Sequence, residues 1–150
     1  MSAYRTIVVG TDGSESSYKA VEKAGSLASD ADAKLIIACA YFPTDEREVG
    51  AAADVLKDDA YQVRGSAPTN EILRTAKEKA TAVGAKNIVE RPIVGAPVEA
   101  LLELVEEVDC DLLVIGNRGL NSFTGRLLGS VPSDVARKSK SDVLIVHTVR

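Results

Sequence analysis

Cysteine, histidine and aromatic residues are scarce in this chain of 150 residues, which contains two cysteines, one histidine and no tryptophan. So few cysteines exclude a scaffold built on disulfides. Cys39 and Cys110 both lie in apolar runs, so we expect small core residues in a reducing compartment and favour this over a structural disulfide. His147 lies within the last apolar run, where a packed or interface histidine is favoured over a catalytic base.

Long apolar runs are absent as well, and no stretch approaches the roughly 20 residues that a membrane-spanning helix needs. The start of the chain, MSAYRTIVVG, has neither the apolar core nor the cleavage site of a signal peptide. The 18 Lys and Arg residues stand against 22 Asp and Glu residues, giving a net charge of −4. An acidic chain without a long basic run is a poor non-specific partner for nucleic acid or an anionic membrane. We therefore expect a cytoplasmic protein that binds neither.

Apolar, β-branched runs alternate with helix-forming segments, which predicts a parallel α/β sheet with helices on both faces. The predicted strands are short apolar runs, namely Thr6–Gly10, Leu35–Tyr41, Ile88–Val94, Asp111–Ile115 and Val143–Val149. The predicted helices have spaced apolar residues or strong helix formers, and they run from Ser14 or Ser16 to about Ala28, then over Thr69–Val83, Pro97–Val108 and Val131–Lys138.

Two features interrupt this alternation. The stretch Pro43–Pro68 carries acidic clusters and helix-breaking residues, and we interpret it as a surface excursion rather than a second domain. Pro92 lies inside the third predicted strand, which favours a sheet edge or a bulge because proline donates no ladder hydrogen bond. We expect one domain over residues 1–150.

Two loops follow the carboxyl ends of predicted strands and face one crevice if the first and fourth strands are neighbours. They are Gly10–Ser14 and Gly116–Ser130. In open parallel sheets, ligands bind outside the carboxyl ends of the strands, where the winding reverses. Glycines allow close backbone approach to an anion, and the N–H groups at a helix start favour phosphate. Arg118 and Arg126 add positive charge. The glycines alone are not decisive, because similar glycines occur in loops that only turn the chain and bind no ligand.

The spacing of the second loop is specific. Neither GxxxxGK[ST] nor a GxGxxG after the first strand occurs, so a P-loop and a standard dinucleotide fold are disfavoured. The spacing Gly116-x2-Gly119-x9-Gly129-Ser130 instead matches the G-2x-G-9x-G-[S/T] nucleotide motif of the universal stress protein family. The chain resembles the ATP-motif branch of that family over nearly its whole length, including IVVGTDGSESS, GNRGLNSFTGRLLGSVPSDV and DVLIVH.

The resemblance implies a Rossmann-like open five-stranded sheet in the order 3-2-1-4-5, a homodimer and an adenine-nucleotide site. The implied nucleotide-binding residues belong to four segments: Gly10, Thr11 and Asp12; Ala40; Gly116, Arg118 and Gly119; and Gly129, Ser130 and Val131. In this assignment Asp12 contacts the ribose or adenine side, Ala40 meets the adenine, and Gly129–Val131 donate to phosphate. From the residues alone, Asp12 also fits a Mg²⁺ ligand or a turn residue. Alanine at position 40, where many relatives have valine, leaves the adenine pocket roomier.

Three functions agree with these observations. The favoured one is a regulatory or nucleotide-sequestering module that binds ATP or cyclic AMP, with Mg²⁺ as a companion of ATP. The alternative is a slow ATP hydrolase or phosphotransferase, which is disfavoured because no set of nucleophile, base and orienting group is evident. A third is an interaction dimer whose nucleotide site is vestigial. We expect no catalytic residue and no dedicated metal ligands.

The last predicted strand indicates the assembly. Val143–Val149 has apolar side chains on both faces, and in the order 3-2-1-4-5 it lies at the sheet edge. An uncharged edge strand aggregates unless it is covered or paired. Pairing with the same strand of a second copy around a two-fold axis closes the edge. We therefore expect a homodimer joined through Val143–Val149.

Overall fold

Strands and helices alternate along the part of the chain that the computed structural model describes, which is residues 3–43, 66–117 and 130–148. The elements, in chain order, are β1 (Thr6–Gly10), α1 (Glu15–Ala31), β2 (Lys34–Tyr41), α2 (Ser66–Ala82), β3 (Asn87–Val94), α3 (Pro97–Val108), β4 (Leu112–Gly116), α4 (Ser130–Lys138) and β5 (Asp142–Val146). Within these ranges, no helix is both long enough and apolar enough to cross a bilayer.

The strands form one five-stranded parallel sheet in the order β3-β2-β1-β4-β5, which confirms the predicted fold class and topology. Val9 of β1 lies opposite Ile37 of β2 on one side and Val114 of β4 on the other. The chain first moves outward from β1 through β2 to β3, and then returns to β4 beside β1. The winding therefore reverses between β1 and β4, where a parallel α/β sheet forms its ligand crevice.

The inner strands are apolar throughout because they are buried on both faces. Side chains alternate between two core clusters: Ile7 and Val9 pack with α1 and α2, whereas Val8 packs with α3 and α4. Cys39 and Cys110 belong to opposite clusters, and both are buried free thiols, as predicted.

Helix α1 begins where the sequence predicted and ends later. Ser14 is its N-cap and accepts a hydrogen bond from the Ser17 backbone N–H at 3.1 Å. The helix continues to Ala31 rather than stopping near Ala28, and Asp32 closes it in the left-handed conformation at φ +52°. The N–H of Asp32 then satisfies carbonyl groups of the last turn, which is the usual solution for a helix end.

Other element bounds differ for identifiable reasons. Helix α2 starts at Ser66, so Pro68 lies in its first turn, where proline removes no intrahelical hydrogen bond. The end of the predicted excursion is therefore helical, while residues 44–65 lie outside the described part. Strand β4 runs over Leu112–Gly116 rather than Asp111–Ile115, and α4 starts one residue earlier than predicted, at Ser130.

The two edge strands of the sheet are the ones that the sequence predicted. Strand β3 is one edge, as Pro92 suggested, and its Val94 is 58% exposed. Strand β5 is the other edge, but it ends at Val146 instead of Val149. The backbone of Thr148 donates to the side chain of Asn117 rather than continuing the ladder, which explains the shorter strand.

Candidate functional site at the switch point

The loop after β1 is built around a buried hydroxyl pair. Thr11 is 2% exposed, and its Oγ1 shares a hydrogen bond of 2.7 Å with Ser17 Oγ. The backbone N–H of Thr11 donates to Ala38 O at 2.9 Å, and the N–H of Gly13 donates to Thr11 Oγ1 at 3.1 Å. Thr11 therefore shapes the loop from inside.

Asp12 follows in the same loop and is half-buried. Its Oδ1 accepts a hydrogen bond of 2.9 Å from the Ser14 N–H, which is an aspartate turn of the kind that precedes a helix. Gly13 completes the turn at φ +86°, a conformation that side chains with a Cβ rarely adopt. The turn role weighed for Asp12 is thus real, and it holds the carboxylate at the carboxyl edge of the sheet.

The end of β2 lies beside this loop. Gly10 is opposite Ala38 in the parallel register, so Ala40 extends two residues further along the neighbouring strand. Ala40 is half-buried, and Cys39 before it points into the core. Burial raises the pKa of the Cys39 thiol to about 12, and the negative charge of Asp12 contributes in the same direction. This thiol is therefore neutral and unsuited to nucleophilic chemistry.

The end of β4 provides the opposite wall. A Cβ at Gly116 would lie 3.3 Å from Thr148 Oγ1 and 3.7 Å from Ser16 Oγ. The first contact is tight, so the Thr148 side chain would have to shift by a few tenths of an ångström to admit a Cβ, whereas the second is an ordinary van der Waals contact. Gly116 therefore brings the three segments together, in addition to any contact with a ligand.

A hydrogen-bond network that sequence reasoning missed surrounds Gly116. The Asn117 backbone N–H donates to Val146 O at 2.8 Å, and its side-chain Oδ1 accepts from the Thr148 N–H at 2.8 Å and from Thr148 Oγ1 at 3.0 Å. The Asn117 amide Nδ2 is 3.2 Å from His147 Nδ1, and Thr148 Oγ1 also pairs with Ser16 Oγ. No local pattern reveals these contacts, because Asn117 and Thr148 are 31 residues apart.

Of the two roles expected for His147, packed or interface, the packed one is wrong, and the interface one stays a prediction. The ring is exposed, and its described partner is Asn117. Because the amide oxygen of Asn117 accepts from Thr148, its Nδ2 is the atom that faces His147 Nδ1. His147 is thus a surface member of the network around Gly116.

The structure brings part of the predicted site together. Gly10, Thr11, Asp12, Ala40 and Gly116 converge at one edge of the sheet through the pairing of β2, β1 and β4. Ser130 and Val131 open α4, which leads from this edge back toward the start of β5. Arg118, Gly119 and Gly129 lie outside the described residues. Within the described ranges, no group of three or more His, Cys, Asp or Glu residues is arranged to hold a metal ion.

An open parallel sheet whose winding reverses between β1 and β4 defines an α/β protein of the doubly wound class. The sequence profile of the universal stress protein family matches residues 3–147, and the chain belongs to that family.

Relatives of known structure or sequence cover the chain almost end to end. A universal stress protein of Mycobacterium tuberculosis is 62% identical over 148 residues, which are 99% of this chain and 99% of that protein. A crystal structure of a universal stress protein in complex with cAMP is 61% identical, with a TM-score of 0.78, and covers 99% of this chain and 100% of that one. The universal stress protein of Archaeoglobus fulgidus in complex with dAMP is 21% identical with a TM-score of 0.66, covering 96% and 98%, and bears on the fold alone.

Proposed function

We propose that this protein binds an adenine nucleotide at the β1–β4 switch point and acts as a cytoplasmic regulatory or nucleotide-sequestering module. The observation that carries the proposal is the pairing of β1 with β4 through Ile7–Leu112 to Val9–Val114, which places the carboxyl ends of the two strands side by side. Asp12 after β1 and Gly116 at the end of β4 therefore lie at the same edge of the sheet, and we assign the other motif glycines, Gly119 and Gly129, to the same crevice. The cAMP complex of a protein 61% identical to this chain supports the same assignment.

The groups present at this edge fit an adenine nucleotide. Asp12 is an acceptor held in place by its turn, and its second carboxylate oxygen is the group that we assign to a ribose hydroxyl. Ala40 is small and half-buried at the end of β2, which suits a flat base. Ser130 and Val131 open a helix, and backbone N–H groups at a helix start favour phosphate. The nucleotide supplies the anion, and the chain supplies position and hydrogen bonds.

Among adenine nucleotides, cyclic AMP is our first candidate and ATP the second. The relative at 61% identity holds cAMP, and no P-loop lysine demands a triphosphate. Competition calorimetry with ATP, ADP, AMP and cyclic AMP tests the order, with and without Mg²⁺. Binding of cyclic AMP at least tenfold tighter than ATP supports the ranking, and tighter ATP binding that requires Mg²⁺ reverses it. Failure of all four nucleotides to bind overturns the proposed function.

Measuring phosphate release from ATP distinguishes the proposed binding module from the alternative, a slow ATP hydrolase. Incubation with ATP and Mg²⁺ should release no sustained phosphate above the level of a control preparation, because a binding module needs no general base beside the phosphate. Repeated turnovers that follow the protein through purification would favour the hydrolase instead.

We also propose a homodimer joined through Val143–Val149. Strand β5 is an edge strand, and Ile145 on it is 41% exposed, which leaves an apolar side chain at an open edge. Pairing of β5 with β5 around a two-fold axis would both pair the open backbone edge and cover Ile145.

A further inference from the structure

The network around Asn117 connects the candidate nucleotide crevice with the candidate dimer strand. Asn117 follows Gly116 directly, so its backbone belongs to the rim of the crevice. Its side chain holds residues that come directly after the end of β5, namely His147 and Thr148. One residue therefore connects the two places, the crevice rim through its backbone and the end of β5 through its side chain.

The hold on the β5 end is extensive for a single residue. Three contacts, of 2.8, 2.8 and 3.0 Å, join Asn117 to Val146 O, Thr148 N and Thr148 Oγ1. Thr148 is 5% exposed, so replacing Asn117 by alanine would leave its N–H without this partner in a nearly dry place, while its hydroxyl keeps Ser16 Oγ. Buried polar groups that lose their partner are costly, which makes this arrangement sensitive to the exact side chain.

The same network reaches the first loop. Thr148 Oγ1 pairs with Ser16 Oγ in the first turn of α1, and Lys19 Nζ donates to Thr148 O at 3.4 Å. Ser14, which begins that helix as its cap, is bonded to Asp12. The Asp12 loop and the end of β5 thus both bond to the start of α1, and the end of β5 also bonds to Asn117 at the Gly116 rim.

We propose that Asn117 is a positioning residue that couples nucleotide binding to pairing of the β5 strands. A ligand that contacts the two loops restrains Asp12 and Gly116, and Asn117 passes that restraint to residues 146–148. Pairing then loses less conformational freedom, and by linkage the dimer binds nucleotide more tightly than the monomer. This inference rests on the proposed nucleotide site and homodimer.

The dimer dissociation constant, measured by analytical ultracentrifugation with and without saturating cyclic AMP, tests the coupling. In the unmodified protein we expect cyclic AMP to tighten the dimer about fivefold or more, the usual lower range for coupled sites. Asn117→Ala should reduce this factor to less than about twofold, and Thr148→Val, which keeps the backbone bond, should give an intermediate factor. The matched control is Asn87→Ala, an exposed asparagine at the start of the opposite edge strand, which should leave the factor unchanged.

Hydrogen exchange gives a second readout that does not depend on the dimer constant. The Thr148 amide, which donates to Asn117 Oδ1 at 2.8 Å, should exchange more slowly when cyclic AMP is bound. Asn117→Ala should abolish this slowing while its circular dichroism stays native.

The outcomes separate the inference from the proposed function. A protein that binds none of the nucleotides overturns the proposed nucleotide binding and, with it, the coupling. A monomeric protein that binds nucleotide overturns the proposed homodimer and the coupling, and leaves the nucleotide site in place. Nucleotide binding with an unchanged dimer constant overturns the coupling alone, as does a folded Asn117→Ala protein that keeps the full coupling factor. Loss of the factor in Asn117→Ala but not in Asn87→Ala supports it.

Discussion

Single polar side chains, rather than apolar ones, determine the geometry of the loop after β1. Thr11 and Ser17 share a buried hydrogen bond, and Asp12 bonds the start of α1. Each side chain provides a hydrogen-bond partner that the backbone would provide in a helix or strand. These bonds satisfy buried polar groups and fix the turn. These residues therefore have a structural role that any test of ligand binding must separate from direct contact.

Asp12 allows that separation. Asp12→Asn keeps an Oδ1 acceptor for the Ser14 N–H but removes the negative charge, whereas Asp12→Ala removes both. We expect Asp12→Ala to weaken adenine-nucleotide binding by about tenfold or more, the effect of losing a hydrogen bond to a charged group. Asp12→Asn should weaken it less. Calorimetry on both variants checks this, and affinities equal to that of the unmodified protein would remove Asp12 from the site.

Asp111 shows how a charge stabilises the sheet at its amino end. Its Oδ2 accepts hydrogen bonds from the Arg5 N–H at 2.8 Å and the Thr6 N–H at 2.9 Å. These two bonds lower the pKa of the Asp111 carboxyl below its usual value of 3.8. The carboxylate form is therefore favoured in the folded state, and its stabilisation is complete above the unfolded pKa and lost as the pH falls through the folded pKa.

A pH series measures this contribution. Asp111→Asn should lower the free energy of unfolding at pH 7 by about 1 kcal/mol, at the low end for charged hydrogen bonds because the carboxylate is accessible to water. The difference from the unmodified protein should shrink below pH 3.8, the usual carboxyl value, as the native carboxylate is protonated. Urea unfolding at both pH values checks this, with Asp30→Asn on exposed α1 surface as the control. A difference that does not change with pH would contradict the assignment.

At the scale of elements, the packing of α1 on α2 depends on a missing side chain. Gly25 lies in the middle of α1, and a Cβ there would lie 2.8 Å from Val83 Cγ2 and 3.0 Å from the Ala80 Cα. The second contact is with backbone, which cannot move aside as a flexible side chain can. The helices approach closely because both contribute small residues at their crossing.

Gly25→Ala tests this packing against helix propensity. In an exposed helix interior the change stabilises by about 1 kcal/mol. Here we expect net destabilisation of about 1–3 kcal/mol, because α2 must shift to admit the methyl group. Denaturant unfolding measures the sign, and Glu22→Ala on the exposed face of the same helix is the control. A Gly25→Ala protein more stable than the parent would show that the helices separate at little cost.

At the scale of the whole molecule, the open edge at β5 is where we expect a second copy to pair. The opposite edge, β3, contains Pro92 and is poorly suited to pairing. Strand β5 has no proline, and its Ile145 is exposed while Val146 is buried. Ile145 is therefore a position where a charge can oppose association without entering the core.

Ile145→Lys should convert the proposed dimer to monomer with the fold retained, because lysine at an edge disfavours strand pairing. Light scattering at micromolar concentration, together with thermal unfolding, checks both parts. Val146→Pro is the less selective change, since Val146 also packs in the core and its carbonyl accepts from the Asn117 N–H. An unmodified protein that is monomeric at this concentration would contradict the proposed dimer.

The sequence by itself determined the elements and their class, because periodicity and turn residues act locally. The apolar runs around Val8 and Ile36 predicted strands buried on both faces, and the structure confirms them. Ser14 and Pro97 indicated helix starts, which the structure also confirms. The strand order followed only from family resemblance, since no local pattern states which strands are neighbours. The β1–β4 pairing, and with it the crevice, is a property of the assembled sheet.

Tertiary structure alone decided the contacts that surround the candidate site. Asn117 contacts Thr148 across 31 residues, and Asp111 contacts Thr6 across 105. Contacts between residues so far apart in the sequence produce no local pattern from which they could be predicted. The early end of β5 has the same origin, because a side chain from the end of β4 takes the amide that the ladder would have used. Apolar burial follows from composition along a segment, whereas a hydrogen bond between distant segments exists only after the sheet has placed its donor and acceptor within about 3 Å.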